Sequence, residues 1–165
     1  MLPNGPQNGL PPRPRIHTLH PGNVAWAERG DRLETLLGSC VAIVLTDPRR
    51  TVAAMCHVVH TRPPGSTQFD DDTAYGEAAL AAMATGLLAR GISPGLCEAF
   101  VMGGGNMFPA LITQAHVGDH NLRWAFAALA RSRVRVVFQD VGGATYRRIG
   151  WTVGVQMPEV VSVAV

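Results

Sequence analysis

The apolar positions of this chain fall into short runs separated by strong turn signals. Residues 32–37, 41–46, 51–59, 99–102 and 134–140 are brief, apolar or β-branched, and mostly bounded by Gly, Pro or Asp. That pattern predicts strands. Segments 146–155 and 160–165 read as closing strands, and 16–20 as a first ordered segment before the Pro21-Gly22 turn signal. In the middle of the chain the period changes. Leu80, Met83, Leu87 and Leu88 recur at helical spacing, so 75–90 is predicted as a helix that Gly91 stops. Asp70, Asp71, Asp72 and Thr73 offer its cap and acidic first turn. A second helix is predicted through Trp124, Phe126 and Leu129, capped by Asp119 or Asn121. Strands at both ends and helices between them predict a single α+β domain. It has mixed or antiparallel, sandwich-like sheets and two or three packed helices.

The runs 41–46 and 51–59 flank Asp47-Pro48-Arg49-Arg50, where Asp47 and Pro48 suit positions i and i+1 of a type I turn. They are predicted to form a hairpin. A turn centred between Pro48 and Arg49 sets Cys40 directly opposite His57 on one face, with Cβ atoms roughly 4.5–5.5 Å apart. One extra residue in a bulge would move that pairing. A thiol beside an imidazole is the smallest pair that supports nucleophilic acyl chemistry. The imidazole takes the thiol proton and holds a thiolate–imidazolium pair, and the imidazolium later protonates a departing amine. Gly38 and Ser39 permit close approach of a substrate, and N–H groups from Gly38 to Cys40 suit an oxyanion hole. The competing reading is packing, since free Cys is among the most buried residue types and His is often a core residue.

The other candidates are weaker. Alternation along a strand sends Cys56 to the face opposite His57, and Cys97 precedes an apolar strand, so both read as packing residues. Cys40, Cys56, His57 and His60 lack the paired CxxC spacing of a structural zinc site. Gly103-Gly104-Gly105 follows a strand but no Lys-Ser/Thr completes a phosphate loop. A tight turn or a close backbone approach is its simpler meaning. No cofactor or metal is expected.

Composition narrows the class. The chain has 165 residues, 47% hydrophobic and 16% charged, which fits one compact domain and excludes disorder. A net charge of +2, with no Lys, gives no footprint for nucleic acid. The arginines at 131, 133 and 135, and Arg147 with Arg148, read as solvated faces. Residues 1–15 are rich in Pro and Gly and are expected to be a flexible leader to a domain at 16–165. That leader lacks a signal peptide's apolar core, and no run reaches the roughly 18 apolar residues of a membrane span. A cytoplasmic monomer is expected, with no disulfide framework.

Several blocks in order resemble a known family. The run from Thr35 through Gly38, Ser39 and Cys40 to Ile43 resembles the signature of the chemoreceptor glutamine deamidases, the CheD family of bacterial chemotaxis. The resemblance covers about residues 16–155. It includes Leu19 to Gly22, Ala54 to His57, Tyr75-Gly76, Glu98-Ala99 with Gly103-Gly104, Val117-Gly118 with Asn121, and Asp140 to Gly143 with Arg147-Arg148. Cys56 and the stretch 60–65 depart from the family's pattern. The resemblance implies a nucleophile in Cys40, a base and acid in His57, and a third member, Thr35, that orients the imidazole. It implies conversion of receptor Gln to Glu with release of ammonia, on the helices of chemoreceptor cytoplasmic regions. It also implies a CheC-type phosphatase as a partner. Two other readings stay open. One is a binding module that regulates such a phosphatase or receptor. The other is a different Cys–His acyl hydrolase or transferase.

Overall fold

The computed structural model describes residue 9, residues 12–62 and residues 71–165. Most of the expected leader lies outside the described residues, as does Asp70. In chain order the elements are β1 (Ile16–Leu19), β2 (Val24–Glu28), β3 (Arg32–Leu37), β4 (Val41–Thr46), β5 (Val52–Val58), α1 (Gly76–Ala89), β6 (Glu98–Gly103), α2 (Val117–Arg131), β7 (Arg135–Val141), β8 (Thr145–Thr152) and β9 (Glu159–Ala164). A 3-10 turn, Pro94–Leu96, leads into β6.

The strands build two mixed sheets. One has four strands in the order β1-β3-β8-β9, the other five in the order β2-β5-β4-β6-β7. Both contain one parallel pair, β1 with β3 and β6 with β7. The α+β, sandwich-like expectation holds, with the two helices as a third layer on the five-stranded sheet. That sheet is covered on both faces, so β4 is buried at every position. Ile43, Cys56, Val101, Met83, Leu87 and Leu129 fill the layer under the helices. Leu33, Leu37, Val44, Met55, Phe100 and Trp151 fill the layer between the sheets. Phe100 meets Trp151 edge-on at 4.9 Å between ring centroids, the geometry the ring quadrupoles favour.

β2 is an element the sequence pattern did not announce. Its five residues, Val24–Glu28, are Ala-rich and short, yet they pair with β5 from Cys56 to Val52. The expected aspartate cap of α1 is also corrected. Tyr75 is the N-cap and its side chain makes no capping bond. The Asp72 carboxylate instead accepts from the Ala74 N–H. The Gly76 N–H is met by the His60 carbonyl at 3.0 Å, so the chain itself satisfies the helix start. At the other end Gly91, with φ +77°, ends the helix as expected. For α2 the cap is His116, whose ring accepts from the Gly118 N–H while the Asp119 carboxylate accepts from the His116 N–H. Asn121 is therefore inside the helix. Arg147 is not solvated either. It is buried and pairs with Asp140 at 2.9 Å, whereas Arg148 is exposed.

The β4–β5 hairpin carries the most consequential correction. Ala42, not Cys40, stands opposite His57, and the last pair is Thr46 with Ala53. The turn centre lies between Arg49 and Arg50, one residue later than the sequence suggested. The Arg50 N–H closes the expected turn on the Asp47 carbonyl, but Arg50 then enters the left-handed region at φ 56°. The Asp47 carboxylate holds the longer loop, accepting from the N–H groups of Thr51 at 2.8 Å and Val52 at 3.0 Å and from the Thr51 hydroxyl. Arg50 is buried and reaches Glu98 at 2.8 Å. Because the centre moves by one full residue, each partner moves by two. Alternation has period two, so Cys40 and His57 keep the same face.

Burial works against the Asp47 carboxylate, but the Val52 and Thr51 donors outweigh it and hold its carboxyl below the usual range. Asp47→Ala is expected to cost about 1–3 kcal/mol at neutral pH, read as a lower urea midpoint. The group binds its proton less readily in the fold, so this stabilisation is lost as pH falls. The gap between wild type and variant should narrow below about pH 3.9.

Candidate active site

Cys40 follows the end of β3 by three residues and precedes β4, so it sits on the link that passes from one sheet to the other. Its side chain is half-buried and packs at the margin of the layer between the sheets. His57 lies near the end of β5, buried in the same layer, while Cys56 points under the helices. Thr35 is an inward residue of β3, between Leu33 and Leu37. The sheets bring Thr35 to His57. Its Oγ1 lies 2.8 Å from His57 Nδ1 and 2.8 Å from the Leu19 carbonyl.

That pair of contacts decides the tautomer. A hydroxyl has one hydrogen, and here it donates to the Leu19 carbonyl. Oγ1 can then only accept from the ring, so Nδ1 carries the hydrogen and Nε2 keeps its lone pair. The neutral ring is thus set as a base at Nε2. Burial pushes the His57 pKa down, the Leu19 carbonyl opposes this, and His20 nearby adds a small push downward. Burial also pushes the Cys40 thiol up, with its own backbone N–H partly opposing. No hydrogen bond joins the Cys40 sulfur to His57 among the described residues. Both shifts favour the uncharged forms, whereas the sequence reading has a thiolate–imidazolium pair.

The three-glycine loop is explained here. Gly104 N–H donates to the Cys40 carbonyl at 2.8 Å, and Gly105 N–H to the Gly38 carbonyl at 2.9 Å. Gly103 adopts φ +105°, and a β-carbon there would lie 2.3 Å from the Cys40 oxygen. The loop cradles the segment that bears the thiol, a close backbone approach rather than a phosphate site. Of the residues singled out earlier, Thr35 and His57 meet, and Cys40 lies at the margin of the same layer, two residues before His57's partner Ala42. His60 pairs instead with the start of α1 as an isolated bridge to Tyr75. Among the described residues no three His, Cys, Asp or Glu side chains converge as a metal site. Among the described residues, no helix is long and apolar enough to cross a membrane.

Comparison with known proteins fits this arrangement. A family model described as CheD chemotactic sensory transduction matches residues 61–155. A probable chemoreceptor glutamine deamidase CheD of Pseudomonas syringae pv. syringae is 36% identical over 79% of this chain and 75% of its own length. One from Dechloromonas aromatica is 32% identical over 82% of this chain and 80% of its own. The chain belongs to the CheD family. A third CheD relative, from Geobacter sulfurreducens, is 31% identical over 84% of both chains. CheD membership thus rests on most of the folded chain.

The three thiols differ in a way that labelling can read. Burial raises Cys56 to about 12 and Cys97, next to the charge of Asp47, to about 11. Iodoacetamide should label Cys40 first, with a rate that climbs above about pH 8.5, the region of an ordinary thiol. Peptide mapping of the alkylated chain across pH 5–10 checks this. A rate plateau already reached at pH 6 would show a thiolate–imidazolium pair instead.

Proposed function

We propose that this chain is a cysteine-dependent protein-glutamine deamidase that converts Gln side chains of chemoreceptors to Glu. The observation that carries the reading is the buried Thr35–His57 hydrogen bond, which leaves Nε2 of a neutral imidazole as base on the face shared with Cys40. Membership in the CheD family supplies the substrate class.

In the proposed reaction His57 Nε2 takes the Cys40 proton once substrate draws the two within reach. The sulfur adds to the carboxamide carbon and its oxygen becomes an oxyanion. Nitrogen takes the proton from the His57 imidazolium, the C–N bond breaks, and ammonia leaves. A water molecule gives a proton to His57 and its hydroxide attacks the thioester carbon. The C–S bond breaks, the sulfur recovers the proton from His57, and the carboxylic acid released gives its remaining proton to solvent to become a carboxylate. Thr35 keeps the imidazole upright throughout, and Leu19 holds Thr35. The new carboxylate places a negative charge on the receptor, which shifts its packing and signalling balance. The same reading includes a cytoplasmic monomer and a CheC-type phosphatase as partner.

The test is mass spectrometry of cognate receptor cytoplasmic fragments, mapping Gln-to-Glu conversion. Wild type should convert defined Gln residues, and Cys40→Ala should convert none. Thr35→Val should lower kcat by about 10–100-fold, because the ring loses the acceptor for Nδ1–H. Conversion that persists in Cys40→Ala would remove the proposed nucleophile. No conversion by wild type would favour a binding module, and transfer to an amine in place of water would favour an acyl transferase.

A further inference from the structure

The backbone that carries Cys40 is used one-sidedly. The Gly38 carbonyl accepts from Gly105 N–H at 2.9 Å and the Cys40 carbonyl from Gly104 N–H at 2.8 Å. The Ser39 carbonyl between them accepts from the Asn121 side-chain amide at 3.2 Å. Among the described residues the N–H groups of Gly38 and Ser39 find no acceptor, and the Cys40 N–H faces its own sulfur and no carbonyl. A trans peptide is planar, with C=O and N–H pointing opposite ways. Whatever grips the Ser39 carbonyl therefore aims the Cys40 N–H, because both belong to one peptide unit. In the same way Gly105 aims the Ser39 N–H.

Asn121 is an unusual residue for the place it holds. It lies inside α2 and is 1% exposed. Asn is a weak helix former, and its buried amide needs partners. Its nitrogen has two hydrogens. One goes to Ser39, and the other to the Val59 carbonyl at 3.0 Å. Val59 lies just beyond His57 on the same strand's exit. One nitrogen thus ties the segment of the nucleophile to the segment of the base. The helix can reach this far in because Gly118 has no side chain; a β-carbon there would meet the Gly104 oxygen at 2.4 Å.

We propose that Asn121 is a positioning residue for the deamidation, fixing the Ser39–Cys40 peptide so that the Cys40 N–H is an oxyanion donor. This rests on the reading of Cys40 as nucleophile. No shorter hydroxyl side chain replaces it, since Ser or Thr offers one hydrogen to two carbonyls. Asp, which has the same shape, offers none when ionised.

The experiment compares Asn121→Ala and Asn121→Asp with wild type in three measurements. The first is kcat on receptor fragments, expected to fall about 10²–10³-fold, the usual loss for one oxyanion donor. The second is affinity for a peptide carrying a glutamyl γ-aldehyde, whose hemithioacetal places an oxygen where the oxyanion forms; it should fall along with kcat. The third is alkylation of Cys40 by iodoacetamide, a displacement with no oxyanion, which should change less than about threefold across pH. Retained kcat in both variants would overturn the proposal. So would a parallel loss of kcat, alkylation selectivity and melting temperature, which marks a merely structural residue. If wild type itself fails to deamidate while binding the aldehyde normally, the proposed reaction fails first, and this inference with it.

Discussion

The hydrogen bond between Thr35 and His57 joins two sheets that have no strand in common. It crosses a layer otherwise filled by Leu33, Leu37, Met55 and their neighbours. A polar group left unpaired in such a layer costs about 1–3 kcal/mol, so the bond is a constraint as much as a gain. The sheets must stack at one offset for both groups to be satisfied. The far end of the layer is fixed by other means: Phe100 against Trp151, and the Arg50 guanidinium over Phe100 and paired with Glu98. With one end locked by rings and an ion pair, the polar contact at the other end has little freedom. The same stacking that stabilises the fold sets the tautomer of the imidazole.

The rest of the site is backbone. Cys40 sits on a link between sheets and not within a strand, so no ladder dictates its peptide planes. Gly104 and Gly105 do so from below, and α2 does so from the side. This explains why glycine is required at Gly103, where a side chain would strike the Cys40 carbonyl. It also explains why the helix start must be well formed. The His116 and Asp119 cap stands at the turn that brings Gly118 to Gly104.

Much of this was legible in the sequence. The bounds of β3 and β4, the stop of α1 at Gly91, and the shared face of Cys40 and His57 follow from period and punctuation. The register did not, because it depends on Arg50 taking a left-handed conformation that glycine or asparagine would have announced. β2 escaped because an Ala-rich strand on a covered sheet has no strong alternation. Asn121 read as a helix cap because caps are what Asn most often does near a helix start; its two acceptors come from loops 62 and 82 residues away in sequence. Thr35 was reached only through resemblance. Nothing local tells an inward threonine that its partner lies on another sheet.

The distribution of these parts along the chain bears on when activity arises during synthesis. Thr35 and Cys40 precede His57 by only 22 and 17 residues, and the hairpin that carries His57 and follows Cys40 needs only local contacts. Yet β3 lies between β1 and β8, and the carbonyls around Cys40 are gripped by residues from 104 to 121. Such distant pairings close slowly, after the local ones. A nascent chain thus exposes its thiol long before that thiol has an aimed backbone around it. On the proposed mechanism, the chemistry waits until the residues of α2 and β8 have been made.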